Sequence, residues 1–299
     1  MNGAAIENFS ASPALLSQLL AQLESRNQTQ PGNPKLLWQI AQTYRALGKF
    51  EQALHSYRAF LQIVPDHPEA RYFVTLLTGE GNGASLDSCD SLASPFLRFE
   101  NFLNEAAQNE LWQATAELLP TLHASVVEEY GVVGLSRDTR RSSSNDAGPS
   151  IRSIFHERVA ALVKRHRIIE RLGIQNLDSV QDLQMSLIAY GDGDYFKPHR
   201  DAGDIAINRL RELTFVYHFF REPQRFSGGE LCLFDAGLVN GGIGLINNFS
   251  CFEPRHNSIL FFPSRALHEV RSIQCSSIDP LDGRFAIAGW ALRREKSSE

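Results

Sequence analysis

Residues 195–201 read YFKPHRD, a short strand-like run that ends in His199-Arg200-Asp201. Side chains at positions i and i+2 of a β-strand point to the same face, so His199 and Asp201 can bind one metal ion while Arg200 faces away. An imidazole and a carboxylate from one strand form a three-residue metal site with open positions once a distant strand adds a second imidazole. The run therefore predicts a metal site built on a β-sheet.

The sequence around this run has a β-pattern. From Asp178 onward, short apolar segments alternate with Gly, Pro, Asp and Asn, which is typical of strands joined by turns. Eight short strands predict a double-sheet jelly roll rather than a parallel α/β sheet. The predicted strands are Gln184–Tyr190, Tyr195–His199, Leu213–Phe220, Glu230–Phe234, Ile243–Ile246, Ser258–Phe262, Leu267–Ile273 and Arg284–Ala291.

The first 80 residues are predicted to be helical. Ser12-Pro13 and Asn33-Pro34 each provide an N-cap followed by a proline at the first helical position. Residues 34–65 resemble one tetratricopeptide repeat (TPR), a helix–turn–helix unit, with Gly48 in its turn. One repeat cannot bury its own apolar face, so helices over 14–24 and 69–77 are expected to pack against it. Two interpretations stay open: a module that presents a partner or substrate, and a plain helical hairpin that packs on the following domain.

The chain is predicted to contain three regions: a TPR-like helical segment over 1–80, a Gly/Ser/Asp-rich linker over 81–94 and a folded domain over 95–299. In the last region, Asn104 predicts the cap of a helix over 105–119, and a further helix is expected at about 151–172. The polar stretch 136–150, SRDTRRSSSNDAGPS, is interpreted either as a solvated surface segment or as a mobile lid over a site.

Composition limits the class of protein. Of the 299 residues, 43% are hydrophobic and 21% charged, as is ordinary for a globular protein in water. The net charge of −5 argues against a general nucleic-acid binder. Neither a secretory signal nor a membrane-spanning stretch is evident, so a cytoplasmic location is expected. Cys89, Cys232, Cys251 and Cys275 have no C-x-x-C spacing and are expected to be buried thiols rather than disulfides or zinc ligands.

Further motifs accompany the His-x-Asp pair in a fixed order. They are Tyr190, Tyr217, Ser227-Gly228-Gly229-Glu230-Leu231, Phe261-Phe262-Pro263-Ser264, His268-Glu269-Val270 and Arg284-Phe285-Ala286-Ile287-Ala288-Gly289-Trp290. In this order they resemble the iron(II)/2-oxoglutarate dioxygenases of the prolyl 4-hydroxylase type over about residues 95–294. The resemblance implies an α+β protein: a double-stranded β-helix (jelly-roll) catalytic domain with flanking helices, preceded by the small TPR-like helical segment.

The resemblance also implies roles for individual residues. It makes His199, Asp201 and His268 the iron ligands and Arg284 the partner of the distal carboxylate of 2-oxoglutarate. It places Tyr217 where several relatives have a tyrosine hydroxyl that contacts the same carboxylate. Tyr190 is a further candidate for the cosubstrate pocket. The implied cofactors are Fe(II), 2-oxoglutarate and O₂, with ascorbate as a reductant.

The chemistry of Arg284 agrees with this role. Its same-face neighbours on the predicted strand, Ala286 and Ala288, are small, so a dicarboxylate has room beside the bidentate guanidinium. The spacing from His268 to Arg284 is longer than in most relatives, and we interpret the intervening segment as a lengthened hairpin loop. If that interpretation is wrong, Arg271 is the alternative partner of the carboxylate.

One more histidine lies close to these motifs. His218 follows Tyr217 directly and faces the other way on a predicted apolar strand. We interpret it as a hydrogen-bonded core histidine rather than as part of the site.

The implied activity is hydroxylation of a C–H bond with release of succinate and CO₂. The expected substrate is a protein or peptide side chain such as proline, with the helical segment as a docking surface. A small-molecule oxygenase is the alternative, and a non-catalytic scaffold is a third reading. An open rim near Arg140, Arg141 and the inserted stretch 236–254 would favour a peptide, whereas an enclosed site would favour a small molecule.

Overall fold

A computed structural model describes residues 13–78, 91–129, 132–203, 206–239 and 242–294. These residues form a mixed helix-and-sheet protein with antiparallel sheets. The chain divides into two compact units. The helical unit consists of the described residues of Met1–Ser94 together with Leu231–Phe252, and the sheet unit consists of those of Pro95–Glu230 and Glu253–Glu299. The described helices are α1 (Pro13–Thr29), α2 (Pro34–Ala46), α3 (Phe50–Ile63), α4 (Pro68–Thr78), α5 (Glu105–Leu118), α6 (Gly148–Arg165) and α7 (Ile168–Arg171).

The described strands are numbered in chain order. They are β1 (Ser91–Leu92), β2 (Leu97–Glu100), β3 (His123–Ala124), β4 (Val127–Glu129), β5 (Val132–Gly134), β6 (Arg140–Arg141), β7 (Ser143–Asp146), β8 (Leu183–Tyr190), β9 (Tyr195–His199), β10 (Arg211–Phe219), β11 (Ser227–Gly228), β12 (Leu231–Val239), β13 (Gly242–Phe252), β14 (Ser258–Pro263), β15 (His268–Val270), β16 (Ile273–Gln274) and β17 (Arg284–Leu292).

The helical unit combines α1–α4 with a small antiparallel sheet. Successive helices pack on each other, and β12 pairs with both β1 and β13. The side-chain oxygen of Asn33 accepts hydrogen bonds from the N–H groups of Lys35 and Leu36, as its predicted cap role requires. Gly48, in the turn after α2, has a φ of +70°, and a Cβ atom there would lie 2.2 Å from the carbonyl oxygen of Cys251. This turn therefore requires glycine.

A buried ion pair ties α2 to the β12–β13 hairpin within this unit. Arg45 Nη1 and Nη2 donate to the two carboxylate oxygens of Asp235 at 3.0 and 2.6 Å. The two side chains are 1% and 0% exposed. Arg45 Nη1 also donates to the Ser250 hydroxyl, and Nε and Nη2 donate to the Gln42 side-chain carbonyl. Every nitrogen of this guanidinium therefore has an acceptor inside the protein.

The sheet unit is built on a seven-stranded antiparallel sheet with the order β2-β14-β10-β17-β8-β7-β3. One face of this sheet packs against α5 and α6 in a hydrophobic core. Leu111 and Phe155 are among its helical members. Its strand members include Phe215 and Tyr217 of β10 and Ile287 of β17. Residues at alternate positions of β10 and β17 point to the other face.

The other face of the large sheet contributes to a second core with β9 and β15. Tyr190 and Trp290 come from the large sheet and Val270 from β15, and Phe196 of β9 packs against them. In the β9–β15 ladder, His199 pairs with His268 and Phe196 with Val270, so three steps along β9 match two along β15. This β-bulge turns both His199 and Phe196 toward the second core.

Several predicted elements need correction. The polar stretch 136–150 contains β6, which pairs with β9, and β7, which pairs with β8, so it is neither a solvated segment nor a lid over its whole length. The helix expected at about 151–172 is two helices, because Arg167 between them has a left-handed φ of 52°. Most of the inserted stretch 236–254 is strand, since β13 runs over Gly242–Phe252.

Other predictions agree with the structure or lie outside its described part. The strand over Tyr195–His199 is confirmed, and Asn104 caps α5 by accepting from the N–H of Ala107. Cys232, Cys251 and Cys275 are buried, whereas Cys89, Ser12 and most of the predicted linker lie outside the described residues. The domain boundaries and the TPR-like character of the helical segment stay predictions. No described helix has the length and apolar character needed to span a membrane.

Candidate functional site

The structure brings His199, Asp201 and His268 together in the sheet unit. Their ligand atoms all lie within 4.8 Å of one another. His199 Nε2 is 3.7 Å from Asp201 Oδ1, and His268 Nε2 is 3.6 Å from Asp201 Oδ2. The two histidines are opposite each other in the β9–β15 ladder, and Asp201 follows two residues after His199. The strand pairing thus supplies the distant imidazole that the His-x-Asp pair needs.

Backbone carbonyls fix the orientation of both imidazoles. His199 Nδ1 lies 2.9 Å from the carbonyl oxygen of Lys197, and His268 Nδ1 lies 3.0 Å from that of Ala266. A carbonyl only accepts, so in the neutral imidazole each Nδ1 carries the hydrogen and each Nε2 keeps a lone pair. Both Nε2 lone pairs are then available at the carboxylate of Asp201. Such outer hydrogen bonds are usual for metal-binding histidines.

Buried hydroxyl groups hold the carboxylate of Asp201. Thr214 donates from Oγ1 to Asp201 Oδ2 at 2.9 Å, and Thr214 Oγ1 lies 2.9 Å from Ser264 Oγ. The carbonyl oxygen of Ser264 accepts from the N–H groups of Asp201 and Ala202, both at 3.0 Å. Thr214 and Ser264 are fully buried. This network leaves the second carboxylate oxygen, Oδ1, facing His199.

The electrostatics of the cluster favour the protonation states that bind a metal. Burial and the neighbouring His268 hold the pKa of His199 well below its usual value, so this imidazole is neutral near pH 7. Burial alone would raise the pKa of Asp201, but His268, His199 and Arg211 outweigh it and hold this pKa below its usual value. A neutral imidazole and an ionised carboxylate are the forms in which these two groups bind a divalent cation.

Arg284 lies on the face of β17 that points into the second core, and it is 1% exposed. Its Nη2 donates to Nε2 of His218 at 2.8 Å, and its guanidinium carbon lies 4.9 Å from the centre of the Tyr190 ring. Among the described residues, neither Nε nor Nη1 has a hydrogen-bond acceptor. Burial lowers the pKa of Arg284, while Tyr190 and Glu230 oppose this effect. A buried cation with open donors is costly unless a ligand anion pairs with it.

The two tyrosines predicted for the cosubstrate pocket have different outcomes. Tyr190 is opposite Arg284 in the β8–β17 ladder and lies beside its guanidinium. Tyr217 is on the other face of the large sheet, where it packs against Phe155 and donates its hydroxyl hydrogen to Asn257 Oδ1 at 3.0 Å. The prediction that Tyr217 contacts the cosubstrate carboxylate is therefore wrong, because strand alternation places it in the helix-side core.

The residue missed by the sequence analysis is His218. It is buried, as expected for a core histidine, but its hydrogen-bond partner is Arg284. The register pairs His218 with Ala286, which shares a face with Arg284. Strand alternation indicates that His218 and Tyr217 point to opposite faces of β10. Because both faces of this strand are buried, the sequence did not show which face borders the site. Thr214, on the same face of β10 as His218, was missed for the same reason.

Arg271, the alternative partner of the carboxylate, has a different environment. Its Nε lies 3.7 Å from a carboxylate oxygen of Glu269. Glu269 lies between His268 and Val270 on β15, so its side chain points away from the second core, and Arg271 lies beside it. Arg284, by contrast, shares its face with Trp290, which contributes to the low pKa of Asp201. Of the two arginines, Arg284 is the one on the side of the metal-ligand cluster.

The donor set of the cluster fits a divalent iron ion. Two imidazole nitrogens and one carboxylate are the ligands of the facial triad in non-haem Fe(II) oxygenases. Ligand atoms that each lie about 2 Å from one ion are at most about 4 Å apart, and the spacings of 3.6 and 3.7 Å agree with this limit. His199 Nε2, His268 Nε2 and the Asp201 carboxylate could hold the metal, and Arg284 could hold an anionic cosubstrate.

Comparison with known proteins agrees with this chemistry. Residues 185–292 match the 2OG-Fe(II) oxygenase superfamily. An uncharacterized PKHD-type hydroxylase of Synechocystis sp. (strain ATCC 27184 / PCC 6803 / Kazusa) is 36% identical over 148 residues. This match covers 49% of the present chain and 47% of the relative, so the chain matches about half of the length of that protein.

Two solved structures are similar to parts of this chain. A Pseudomonas putida prolyl-4-hydroxylase is 17% identical with a TM-score of 0.44, covering 68% of this chain and 94% of that one. A prolyl hydroxylase from Trichoplax adhaerens, in complex with a hypoxia inducible factor peptide fragment, is 19% identical with a TM-score of 0.48, covering 78% and 92%. Both TM-scores are below 0.5. His199, Asp201, His268 and Arg284 all lie within residues 185–292, the part of the chain that matches the 2OG-Fe(II) oxygenase superfamily.

Proposed function

We propose that this protein is an Fe(II)- and 2-oxoglutarate-dependent dioxygenase of the prolyl 4-hydroxylase type, with a jelly-roll catalytic domain, that hydroxylates a C–H bond and releases succinate and CO₂. The observation that carries the proposal is the cluster of His199, Asp201 and His268, in which both imidazoles present an Nε2 lone pair to one carboxylate. The match of residues 185–292 to the oxygenase superfamily supports it.

The proposed metal ligands are His199 Nε2, His268 Nε2 and the carboxylate of Asp201. When bound, Fe(II) together with 2-oxoglutarate and O₂ supplies the oxidising chemistry, and ascorbate is the proposed reductant that maintains the ferrous state. The protein contributes orientation: the carbonyls of Lys197 and Ala266 hold the imidazoles. Thr214 holds the carboxylate. Preorganised ligands of this kind lose little entropy when the ion binds.

Arg284 is proposed to bind the distal carboxylate of 2-oxoglutarate through Nε and Nη1, and Tyr190 to form one wall of this pocket. A guanidinium pairs with a carboxylate through two parallel hydrogen bonds. Ala286 and Ala288 lie on the same face of β17 and are buried, and their small side chains leave space for the ligand. Burial of the ion pair excludes water, which strengthens the hydrogen bonds to the carboxylate.

The proposed substrate is a protein or peptide side chain, with proline as the first residue to test. The support comes from the rim near the metal cluster. β6 is an edge strand beside β9, and the Arg141 side chain is 45% exposed. Open, edge-like sites accept extended peptides, whereas small-molecule sites are enclosed. The TPR-like helical segment is proposed to dock the protein substrate, and the cytoplasm is the proposed compartment because the cysteine spacing indicates no disulfide framework.

The test is an anaerobic titration of the metal-free protein with Fe(II) and 2-oxoglutarate, which follows the visible charge-transfer band of the chelate. We expect the band in the wild type, its loss in His268→Ala, and a much higher 2-oxoglutarate requirement in Arg284→Ala. His156→Ala is the matched control, because His156 is exposed on α6 and, within the described part of the chain, hydrogen-bonds to the carbonyl of Gln181. Absence of the band in the wild type at saturating ligand would contradict the proposed function.

If the chelate forms, substrate class is decided by turnover. Succinate release is measured with proline-containing peptides and, separately, with free amino acids and other small molecules. Stimulation by peptides alone agrees with the proposal. Stimulation by small molecules alone would replace it with the small-molecule oxygenase, and formation of the chelate without any turnover would favour a binding role.

A further inference from the structure

The pair formed by His218 and Arg284 has a chemical feature that goes beyond metal binding. The two residues lie on neighbouring strands, β10 and β17, and both are at most 2% exposed. Their contact is a single hydrogen bond of 2.8 Å between Arg284 Nη2 and His218 Nε2. No carboxylate of the described residues takes part in it.

The guanidinium determines the protonation state of His218. Arginine has only donors, so the bond requires an Nε2 lone pair and places the hydrogen of the imidazole on Nδ1. Burial and the positive charges of Arg284 and Arg98 lower the pKa of His218 well below its usual value, so the neutral form is the one present near pH 7. His218 is therefore a neutral acceptor for a cation, and it cannot neutralise that cation.

Three contacts fix the arginine side chain. His218 holds Nη2, and the ring of Tyr190 lies beside the guanidinium. The stem passes over Gly229, which has a φ of +72° and where a Cβ atom would lie 2.9 Å from Arg284 Cδ. Of these contacts, the bond to His218 has the short donor–acceptor distance, 2.8 Å, that limits rotation of the guanidinium. Nε and Nη1 are the nitrogens that remain without acceptors.

We propose that His218 is a positioning residue for the cosubstrate: it binds Nη2 of Arg284 without neutralising it and so directs Nε and Nη1 toward the distal carboxylate of 2-oxoglutarate. This inference rests on the proposed function. A carboxylate side chain at position 218 would hold Arg284 equally well but would satisfy its charge and compete with the cosubstrate. A neutral acceptor gives orientation and keeps the full charge for the ligand.

The test compares three substitutions at position 218 in the full-length protein. His218→Leu removes the acceptor, His218→Gln keeps a neutral acceptor, and His218→Glu adds a competing carboxylate. The readout is the 2-oxoglutarate concentration at half-saturation of the anaerobic Fe(II) chelate band, with the Fe(II) requirement measured in parallel. A hydrogen bond to a charged group corresponds to a change of roughly ten- to a hundredfold in this concentration.

We expect a rise of that size in His218→Leu, recovery to within about threefold of the wild type in His218→Gln, and no saturable 2-oxoglutarate binding in His218→Glu. The Fe(II) requirement should stay at the wild-type value in all three. Equal impairment of the Leu and Gln variants would show that position 218 matters only for packing and would overturn the proposal. Wild-type 2-oxoglutarate binding in a folded Leu or Glu variant would overturn it as well.

A second titration separates this inference from the proposed function. Glutarate, a five-carbon dicarboxylate without the keto group, is titrated calorimetrically into the metal-free protein and its position-218 variants. Glutarate binding in the wild type without any chelate band would contradict the oxygenase proposal. The glutarate affinities of the position-218 variants would then still test the positioning role of His218. If the wild type forms the chelate, unchanged binding in His218→Leu contradicts the positioning role alone. Absence of both signals in the wild type would contradict both proposals.

Discussion

Arg45 in the helical unit and Arg284 in the sheet unit are equally buried, at 1% exposure each, but they have opposite surroundings. Arg45 donates to both carboxylate oxygens of Asp235 and also to Ser250 and Gln42. Arg284 has one hydrogen bond, to a neutral imidazole, and two nitrogens without acceptors among the described residues. One cation is satisfied within the protein, and the other is not.

The difference distinguishes a structural arginine from the arginine that we propose binds a ligand. Burying a cation costs several kcal/mol unless an anion and further hydrogen bonds repay the cost. For Arg45 the repayment is intramolecular, so the cost is recovered whenever the chain folds. For Arg284 the described residues offer no acceptor to Nε and Nη1, and the proposed function assigns that role to a ligand carboxylate. The degree of burial therefore does not show whether an arginine is structural. The hydrogen-bond acceptors that surround its guanidinium do.

The largest expected effect comes from removing each cation in turn. Arg45→Met leaves the Asp235 carboxylate buried without its partner, and we expect it to lower the free energy of unfolding by roughly 3–5 kcal/mol. Arg284→Met should stay within about 1 kcal/mol of the wild type, because relief from burying a cation offsets the lost bond to His218. Urea unfolding of the metal-free protein, without 2-oxoglutarate, measures both.

The double variant Arg45→Met/Asp235→Leu is the control for this pair. It removes both charges and should recover much of the loss, because an apolar pair replaces an ion pair at little cost. A loss in Arg284→Met as large as that in Arg45→Met would make Arg284 a structural arginine and would remove the contrast between the two regions.

Parts of both regions could be predicted because their signals are local. The cap by Asn33 depends on residues within three positions, and the His199/Asp201 pair depends only on strand alternation. His268 and Arg284 came from the order of motifs in a known family. The turn between α2 and α3 was predicted at Gly48. Gly48 has a positive φ there, which few residues other than glycine adopt.

The remaining features depend on contacts that the sequence does not encode locally. Arg45 and Asp235 are 190 positions apart. No sequence pattern next to either residue identifies the other as its partner. Tyr217 was placed in the site and His218 outside it because β10 is buried on both faces, so hydrophobic alternation carries no information about direction. The bulge that turns Phe196 beside His199 depends on the register with β15.

Substitutions at two glycines, one near each arginine, are expected to have smaller effects. Gly48, near Arg45, and Gly229, under Arg284, have φ values of +70° and +72°. In Gly48→Ala the new Cβ atom would lie 2.2 Å from the backbone carbonyl oxygen of Cys251. Beyond the cost of placing alanine at a positive φ, we expect this clash to lower the free energy of unfolding by about 1–3 kcal/mol. In Gly229→Ala the close atoms belong to the side chains of Ile273 and Arg284, which can move, so the loss in stability should be smaller while 2-oxoglutarate binding weakens severalfold.

Gly32→Ala and Gly173→Ala are the matched controls. Both glycines have positive φ values, of +78° and +67°, and a Cβ atom at either position would have no neighbour within 4 Å. They therefore report the conformational cost alone. Urea unfolding and the chelate titration are run on all four variants. Weakened 2-oxoglutarate binding in Gly48→Ala, or normal binding in Gly229→Ala, would contradict the assignment of stability to one region and ligand binding to the other.

The smallest expected effect is a change in how stability depends on pH. Burial and the charges of Arg284 and Arg98 hold the pKa of His218 well below 6.5 in the folded protein, whereas the unfolded chain has an ordinary histidine. Below about pH 6.5 the unfolded state therefore binds a proton that the folded state does not, and the free energy of unfolding falls as the pH falls. One such group contributes a slope of at most about 1.4 kcal/mol per pH unit.

Substitution of His218 by Gln removes this contribution, so the free energy of unfolding of the metal-free variant should fall less steeply between about pH 6.5 and 5. His199, whose pKa is also lowered, contributes equally to both proteins and cancels from the difference. His156→Gln, at the exposed site on α6, controls for the substitution itself. If His218→Gln and the wild type have the same slope, His218 takes up a proton in the folded state and cannot be the acceptor for Arg284. The distinction between the two regions would then have to rest on ligand binding alone.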